Sequence, residues 1–283
     1  MKISRSYIAM IVLSLSFLLG GCSQDVSTSS QSQLVVEGWI DAGSFPVVKL
    51  TRTIPLGDDA LSLDSLSCYM DRWAKVTISD GERTEVLLAG RYDKKYFPPF
   101  IYTTYDMRGE EGREYSLRVE ASDGKVAEAR TRIPVSAKID SFRVEPTDVD
   151  SLFQLYAYTS YRGKCKLFTQ VVGKQREMSS AELGLFDDGM IGEDGKLSVK
   201  RGRDNLQKDF TPFFKKDEVV RVKLSTLTDE GYAFWRSFED MLALSRIPLM
   251  PVNTNLKSNV HGALGYWQGY GSSFYEVRIM VGE

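Results

Sequence analysis

The strongest constraint on the fold is a two-residue alternation that recurs between turn signals. In Val47-Val-Lys-Leu-Thr-Arg-Thr53, the side chains of Val48, Leu50 and Arg52 face away from those of Lys49 and Thr51. Ala74-Lys-Val-Thr-Ile-Ser79 alternates cleanly and ends at Asp80-Gly81, a tight-turn pair, and Thr84 to Leu88 completes that hairpin. Tyr115-Ser-Leu-Arg-Val-Glu120 alternates again, Asp123-Gly124 turns, and Val126 to Ile133 runs back. Successive side chains of a strand point to opposite faces, so these runs mark half-buried strands. With Leu34 to Ile40 ahead of the turn cluster at Asp41 to Pro46, about seven strands are expected between residues 33 and 135. Their spacing predicts an immunoglobulin-like β-sandwich over residues 34–135. Residues 55–70 lack β character and read as a long loop or a short helix.

Pro134 to Pro146 reads as a junction. Residues 136–283 are expected as a second β-rich domain carrying one packed helix. Its strand candidates are Phe153 to Tyr158, Cys165 to Val172, Leu197 to Val199, Val219 to Leu224 and a final Tyr275 to Met280. The helix is predicted near residues 228–244. Thr228 is its N-cap, and Asp229 and Glu230 in the first turn oppose the positive end of the helix dipole. Tyr232, Trp235, Phe238 and Leu242 recur at helical spacing and form one apolar face, which is expected to pack across the second sheet. The fold class is therefore mainly β.

Residues 1–21 read as a lipoprotein signal peptide. Lys2 and Arg5 give a basic start, Ile8 to Leu19 is almost wholly apolar, and Leu19-Gly20-Gly21-Cys22 follows. The apolar run is too short for a confident membrane span. The ending resembles the bacterial lipobox. Cleavage between Gly21 and Cys22 then makes Cys22 the first mature residue, bearing a diacylglycerol on its thiol and a palmitate-type chain on its amine. Each buried methylene contributes about 0.8 kcal/mol, so two or three chains anchor a protein stably. Residues 22–33 are small, polar and aperiodic, as suits a flexible tether. The alternatives are a secreted protein with an incidental Cys22, or an uncleaved helix.

A formal charge of −2 with scattered lysines and arginines argues against a nucleic-acid face. Beyond Cys22 only Cys68 and Cys165 remain; they read as two buried thiols, with a disulfide as the alternative.

No constellation for catalysis, a cofactor or a metal stands out. His261 is the only histidine and reads as a loop or core residue. Asp187, Asp188, Glu193 and Asp194 invite a calcium reading, but Gly189 and Gly192 fall where ligands are needed; an acidic turn is the plainer account. No carboxylate pair is singled out for glycoside hydrolysis. Tyr266, Trp267 and Tyr270 lead an aromatic concentration among glycines. Exposed, these rings form a binding surface for sugars or protein; buried, they fill the second domain.

The ordered series Leu34-Val-Val-Glu-Gly38, Val47 to Arg52, Ala74 to Ile78, Gly112-Arg-Glu-Tyr-Ser-Leu117, Phe186-Asp-Asp188, Val219-Val-Arg-Val222, Tyr232 to Trp235 and Ser258-Asn-Val-His-Gly262 with Leu264-Gly265 resembles a family of Bacteroidota outer-membrane lipoproteins, domain of unknown function 4249. Ser67 to Arg72 departs from that pattern, where a plain polar loop is expected. The resemblance implies a two-part β-rich body on a lipid anchor in the outer membrane, facing the surface or the periplasm. It also implies an accessory role in nutrient uptake beside a TonB-dependent β-barrel receptor. It implies no catalytic residue. The competing expectations are a surface hydrolase acting on glycan or peptide, and an adhesin or fibre subunit with an open final strand.

Overall fold

The computed structural model describes residues 32–53, 68–82, 86–203, 210–245 and 256–280. Residues 1–21, expected as a signal peptide, Cys22 and most of residues 22–33, expected as a tether, lie outside these residues. Ser32–Glu283 forms one compact unit, mainly β, with one helix of any length among the described residues.

The first core is enclosed by strands that follow the alternation closely. β1 (Leu34–Asp41), β2 (Val47–Arg52) and β5 (Phe100–Thr103) pair in that order. β4 (Val86–Tyr92) then pairs with β5 through Ala89–Tyr92 and with β3 (Lys75–Ser79) through Val86–Leu88. This change of partner turns the path. It continues through β6 (Glu114–Glu120) and β7 (Val126–Arg132). Tyr115, Leu117 and Val119 of β6 and Ala127 and Ala129 of β7 bury against Val36, Ile40, Val48 and Leu50. The expected tight turn forms at Gly124, whose φ of 82° only glycine adopts freely, with its N–H donating to Ala121 O at 2.9 Å. An immunoglobulin-like sandwich has two separate sheets; here the layers join through β4.

The second core lies between a four-stranded sheet and the far end of the large one. The small sheet holds β8 (Ser141–Pro146), β9 (Leu152–Tyr158), β12 (Lys196–Val199) and β13 (Phe214–Lys215). Facing it are β10 (Cys165–Val171), β11 (Ser179–Phe186) and β14 (Val219–Thr226). Leu155, Leu197 and Phe214 meet Leu167, Val222 and Leu224 there.

Residues 34–135 and 136–283, expected as separate domains, share one sheet of twelve strands. The reason is β16 (Leu264–Arg278), fifteen residues long and so about 50 Å at strand rise. Its first half pairs parallel with β1, from Val35–Leu264 to Asp41–Tyr270. Its second half pairs antiparallel with β14, from Thr226–Gly271 to Val219–Arg278. Trp267 enters the first core, while Tyr275, Val277 and Ile279 enter the second. β15 (Val260–His261) likewise returns to β7 in the first half. The expected final strand thus starts eleven residues early. Its glycines mark close backbone approach: a Cβ on Gly265, at φ 108°, would lie 1.8 Å from Val36 O.

The helix α1 (Asp229–Ser245) begins as expected, with Thr228 Oγ1 accepting the N–H of Gly231 at 3.1 Å. Phe234 and Trp235 pack on Phe168 of β10, Leu185 of β11 and Tyr270 of β16. Leu242, expected on the apolar face, is exposed. Both described cysteines are free. Cys165 is buried, and burial pushes its thiol up to about 12; Cys68 is exposed, contrary to the expectation of two buried thiols.

Candidate functional site

Five adjacent strands, β10, β14, β16, β1 and β2, put one face into the cores and the other beneath α1. The alternation assigns each residue. In β1, Val36 and Ile40 are core while Glu37, Trp39 and Asp41 face the helix side. In β14, Val222 and Leu224 are core and Lys223 is not; in β10, Leu167 is core and Phe168 lies under α1. In β16, Trp267 is core and Tyr266, Tyr270 and Phe274 line the opposite side. That opposite side is the floor of a cavity of about 1040 Å³. Trp235 and Phe238 of α1 wall it on one side, and Tyr96, Phe97 and Glu177 on another.

The floor contains lysines that water does not reach. Lys49 Nζ lies 3.3 Å from Glu37 and 3.2 Å from Glu177, donates to Phe97 O at 3.3 Å, and sits 5.4 Å and 5.6 Å from the rings of Trp39 and Tyr96. Lys223 Nζ bonds both oxygens of Asp41, at 2.9 Å and 3.2 Å, and lies 4.5 Å and 4.6 Å from the rings of Phe168 and Tyr270. Ser272 adds a hydrogen bond to Asp41. Lys166, fully buried behind the helix, holds Glu239 at 2.7 Å and lies 4.5 Å from the Trp235 ring. A buried ammonium without a carboxylate carries a desolvation cost of several kcal/mol, which explains why each lysine has one. The ring faces add attraction through their negative quadrupole.

The lysines differ in balance. Burial acts to lower Lys49, yet Glu37 and Glu177 together outweigh it and hold its pKa above the ordinary value. Burial also acts on Lys166, and the single Glu239 does not compensate, so its pKa is lowered. Burial raises Glu177 and the neighbouring Glu37 adds to this, while Lys49 pulls the other way. Burial raises both Tyr266 and Tyr270 well above the ordinary phenol range, so both rings stay neutral. Trp235 Nε1 donates to Tyr270 Oη at 3.0 Å, tying the helix to the floor.

The expected aromatic trio is therefore divided. Tyr266 and Tyr270 line the cavity. Trp267 does not: it is wholly buried, its Nε1 donating to Tyr115 O at 3.1 Å in the first core. Period two places neighbours on opposite faces, so three closely spaced aromatics could not share one surface. Lys49, Glu177 and Tyr96 carry the site without having been singled out; the signal available was the polar face of residues 47–53, read as one side of a half-buried strand.

A second cavity of about 790 Å³ lies along the outer face of β3, β6 and β7, with Phe234, Tyr266 and Gln268 on one side. His261 lines it from β15, opposite Glu128 of β7, and is exposed; it is a strand residue at the surface, neither the loop nor the core residue expected. The acidic turn is not a gathered site: Asp187 accepts the Tyr232 hydroxyl at 2.7 Å and Asp194 accepts the Lys196 N–H at 3.1 Å. Among the described residues no group of three or more His, Cys, Asp or Glu is placed to hold a metal. Cys22 and Gly21 lie outside the described residues.

The family model Domain of unknown function (DUF4249) matches residues 22–275. The chain belongs to this family. The match begins at Cys22 and ends within β16. No curated protein matches the chain.

Proposed function

We propose that this protein is a lipid-anchored outer-membrane binding protein, an accessory to a TonB-dependent transporter in nutrient uptake, and that it holds its ligand in the cavity beneath α1. The observation that carries the binding reading is the floor itself. A sheet face that could have been plain core instead keeps two lysine–carboxylate clusters and several ring faces beside an open volume of about 1040 Å³. Convergent polar groups among aromatic walls characterise ligand sites. Glu37 and Glu177 share the one Lys49 ammonium, at 3.3 Å and 3.2 Å, which supports a charge-pairing role for these carboxylates over the hydrolase reading. The anchoring part of the proposal rests on Leu19-Gly20-Gly21-Cys22 and the polar stretch after it. The partner rests on the family resemblance alone.

Two measurements test the proposal. Cell fractionation should place the wild type in the outer membrane and Cys22→Ala in the soluble fraction; an unchanged distribution would remove the anchor. Mild crosslinking followed by detergent purification should recover a large β-barrel with the wild type. Recovery of the protein alone, repeatedly, would remove the partner. Protease shaving of intact cells then assigns the body to the cell surface or the periplasm.

A further inference from the structure

We infer that the ligand of this cavity is an uncharged, polyhydroxylated chain, a neutral glycan longer than one sugar ring; this rests on the binding reading above and adds the ligand class. Three observations combine. The rings that reach the cavity without being sealed in the core are Trp39, Tyr96, Phe97, Phe238, Tyr266 and Phe274. Spread along the floor and walls, they offer several separate flat faces, each negative at its centre. The C–H-rich faces of successive sugar rings match such a series.

The second observation is that the buried charges are already neutralised. Lys49 is shared by Glu37 and Glu177, and Lys223 is held by both oxygens of Asp41. A strongly charged ligand entering the floor would have to displace a resident partner and leave a buried charge behind. Hydroxyl groups need displace nothing. Glu177, partly exposed, and the phenols of Tyr96 and Tyr266 keep acceptor and donor capacity for them. The other cations that line the cavity, Lys95, Arg176, Arg203 and Arg221, are exposed, and water weakens any ion pair made there.

The third observation is size. Small-molecule sites span roughly 300–1,000 Å³, and this cavity of about 1040 Å³ stands at the top of that range, too large for one sugar ring to fill.

The test is titration of the full-length protein in detergent with a panel of probes. The neutral members are maltohexaose, cellohexaose, xylohexaose and mannohexaose, set beside an acidic hexagalacturonate and a basic oligolysine peptide. Calorimetry gives affinity. Tryptophan emission reports the site, since Trp39 and Trp235 line it. At least one neutral hexasaccharide should bind and shift the emission, with an affinity unchanged on a tenfold rise in salt, because no net charge is being screened. Tyr96→Ala and Glu177→Gln should each weaken it about tenfold. If either variant has a lowered melting midpoint, Phe274→Ala, at an exposed ring of the same cavity, replaces it. Binding confined to the acidic sugar or the peptide, sensitive to salt and to Tyr96→Ala, would overturn the ligand class and leave the binding cavity standing. Failure of every probe to bind in a way these variants change would overturn both.

Discussion

The same five strands build an ordinary apolar core on one face and a charged, ring-lined cavity on the other. On the core face, Val36, Val48 and Trp267 pack in the first core and Leu167 and Val222 in the second. On the cavity face, the residues next to them in sequence are Glu37, Lys49, Lys166, Lys223 and Tyr266. Backbone pairing is continuous beneath both. The difference teaches that the sheet's stability and its proposed function need not compete for positions. A strand gives every second residue to each task, provided one face is deep enough to hold the fold.

The comparison breaks or sharpens in a definite order of effect. Trp267→Ala should be the costliest change. It empties a fully buried site and strands Tyr115 O, with an expected loss of about 3–5 kcal/mol in denaturant unfolding. A small loss would mean that the core face is not the scaffold.

Next comes Glu239→Ala, which leaves Lys166 buried without its carboxylate. The loss should fall below the about 3–5 kcal/mol of a fully buried broken pair, because Lys166 can shed its proton. The double variant Lys166→Met with Glu239→Leu should recover most of that loss. Failure to recover it would show that the pair fixes the seating of α1 and does more than cancel charge.

A third contrast separates the lysines by pH. The Lys166 pKa is lowered on folding, so between that value and the unfolded value of about 10.4 the unfolded chain binds more protons and the penalty fades as pH rises. The Lys49 pKa is raised on folding, so its contribution is complete below about pH 10.4 and is lost as pH climbs through the higher folded value. Unfolding midpoints of Lys49→Met and Lys166→Met followed into the alkaline range should therefore diverge from wild type in opposite senses. Parallel curves would contradict the difference in pairing.

The smallest effect belongs to the outer face of the first layer. Arg118 pairs with Glu120 and Glu128 in water, and Arg118→Ala should leave the unfolding midpoint unchanged.

Strand positions in the first half were legible because each half-buried strand carries its own period-two record. Residues 47–53 already separated Lys49 from Val48 and Leu50. What that record lacks is the covering layer. An alternating strand reads the same whether its polar face meets water or lies beneath another segment, and Lys49 is 4% exposed with Trp39, Tyr96, Phe97 and Glu177 around it. The helix itself was legible from Thr228 and its apolar spacing. Its docking place was not, since that depends on β16 crossing from one half to the other. The parallel pairing of β1 with β16 joins residues more than two hundred positions apart and leaves no local trace in either segment. Glycines 265, 269 and 271 were the nearest hint, and they read equally well as bends.

The most direct test of the division of labour is the difference in denaturant midpoint between Trp267→Ala and Tyr266→Ala, adjacent residues on opposite faces of one strand. Tyr266 packs on Phe234 with ring centroids 4.2 Å apart and is only partly buried, so its removal should cost about 1–2 kcal/mol against about 3–5 for Trp267. A gap of that size supports a scaffold face and a binding face. Equal losses would show that both faces are core, and the cavity would lose its claim to be a site.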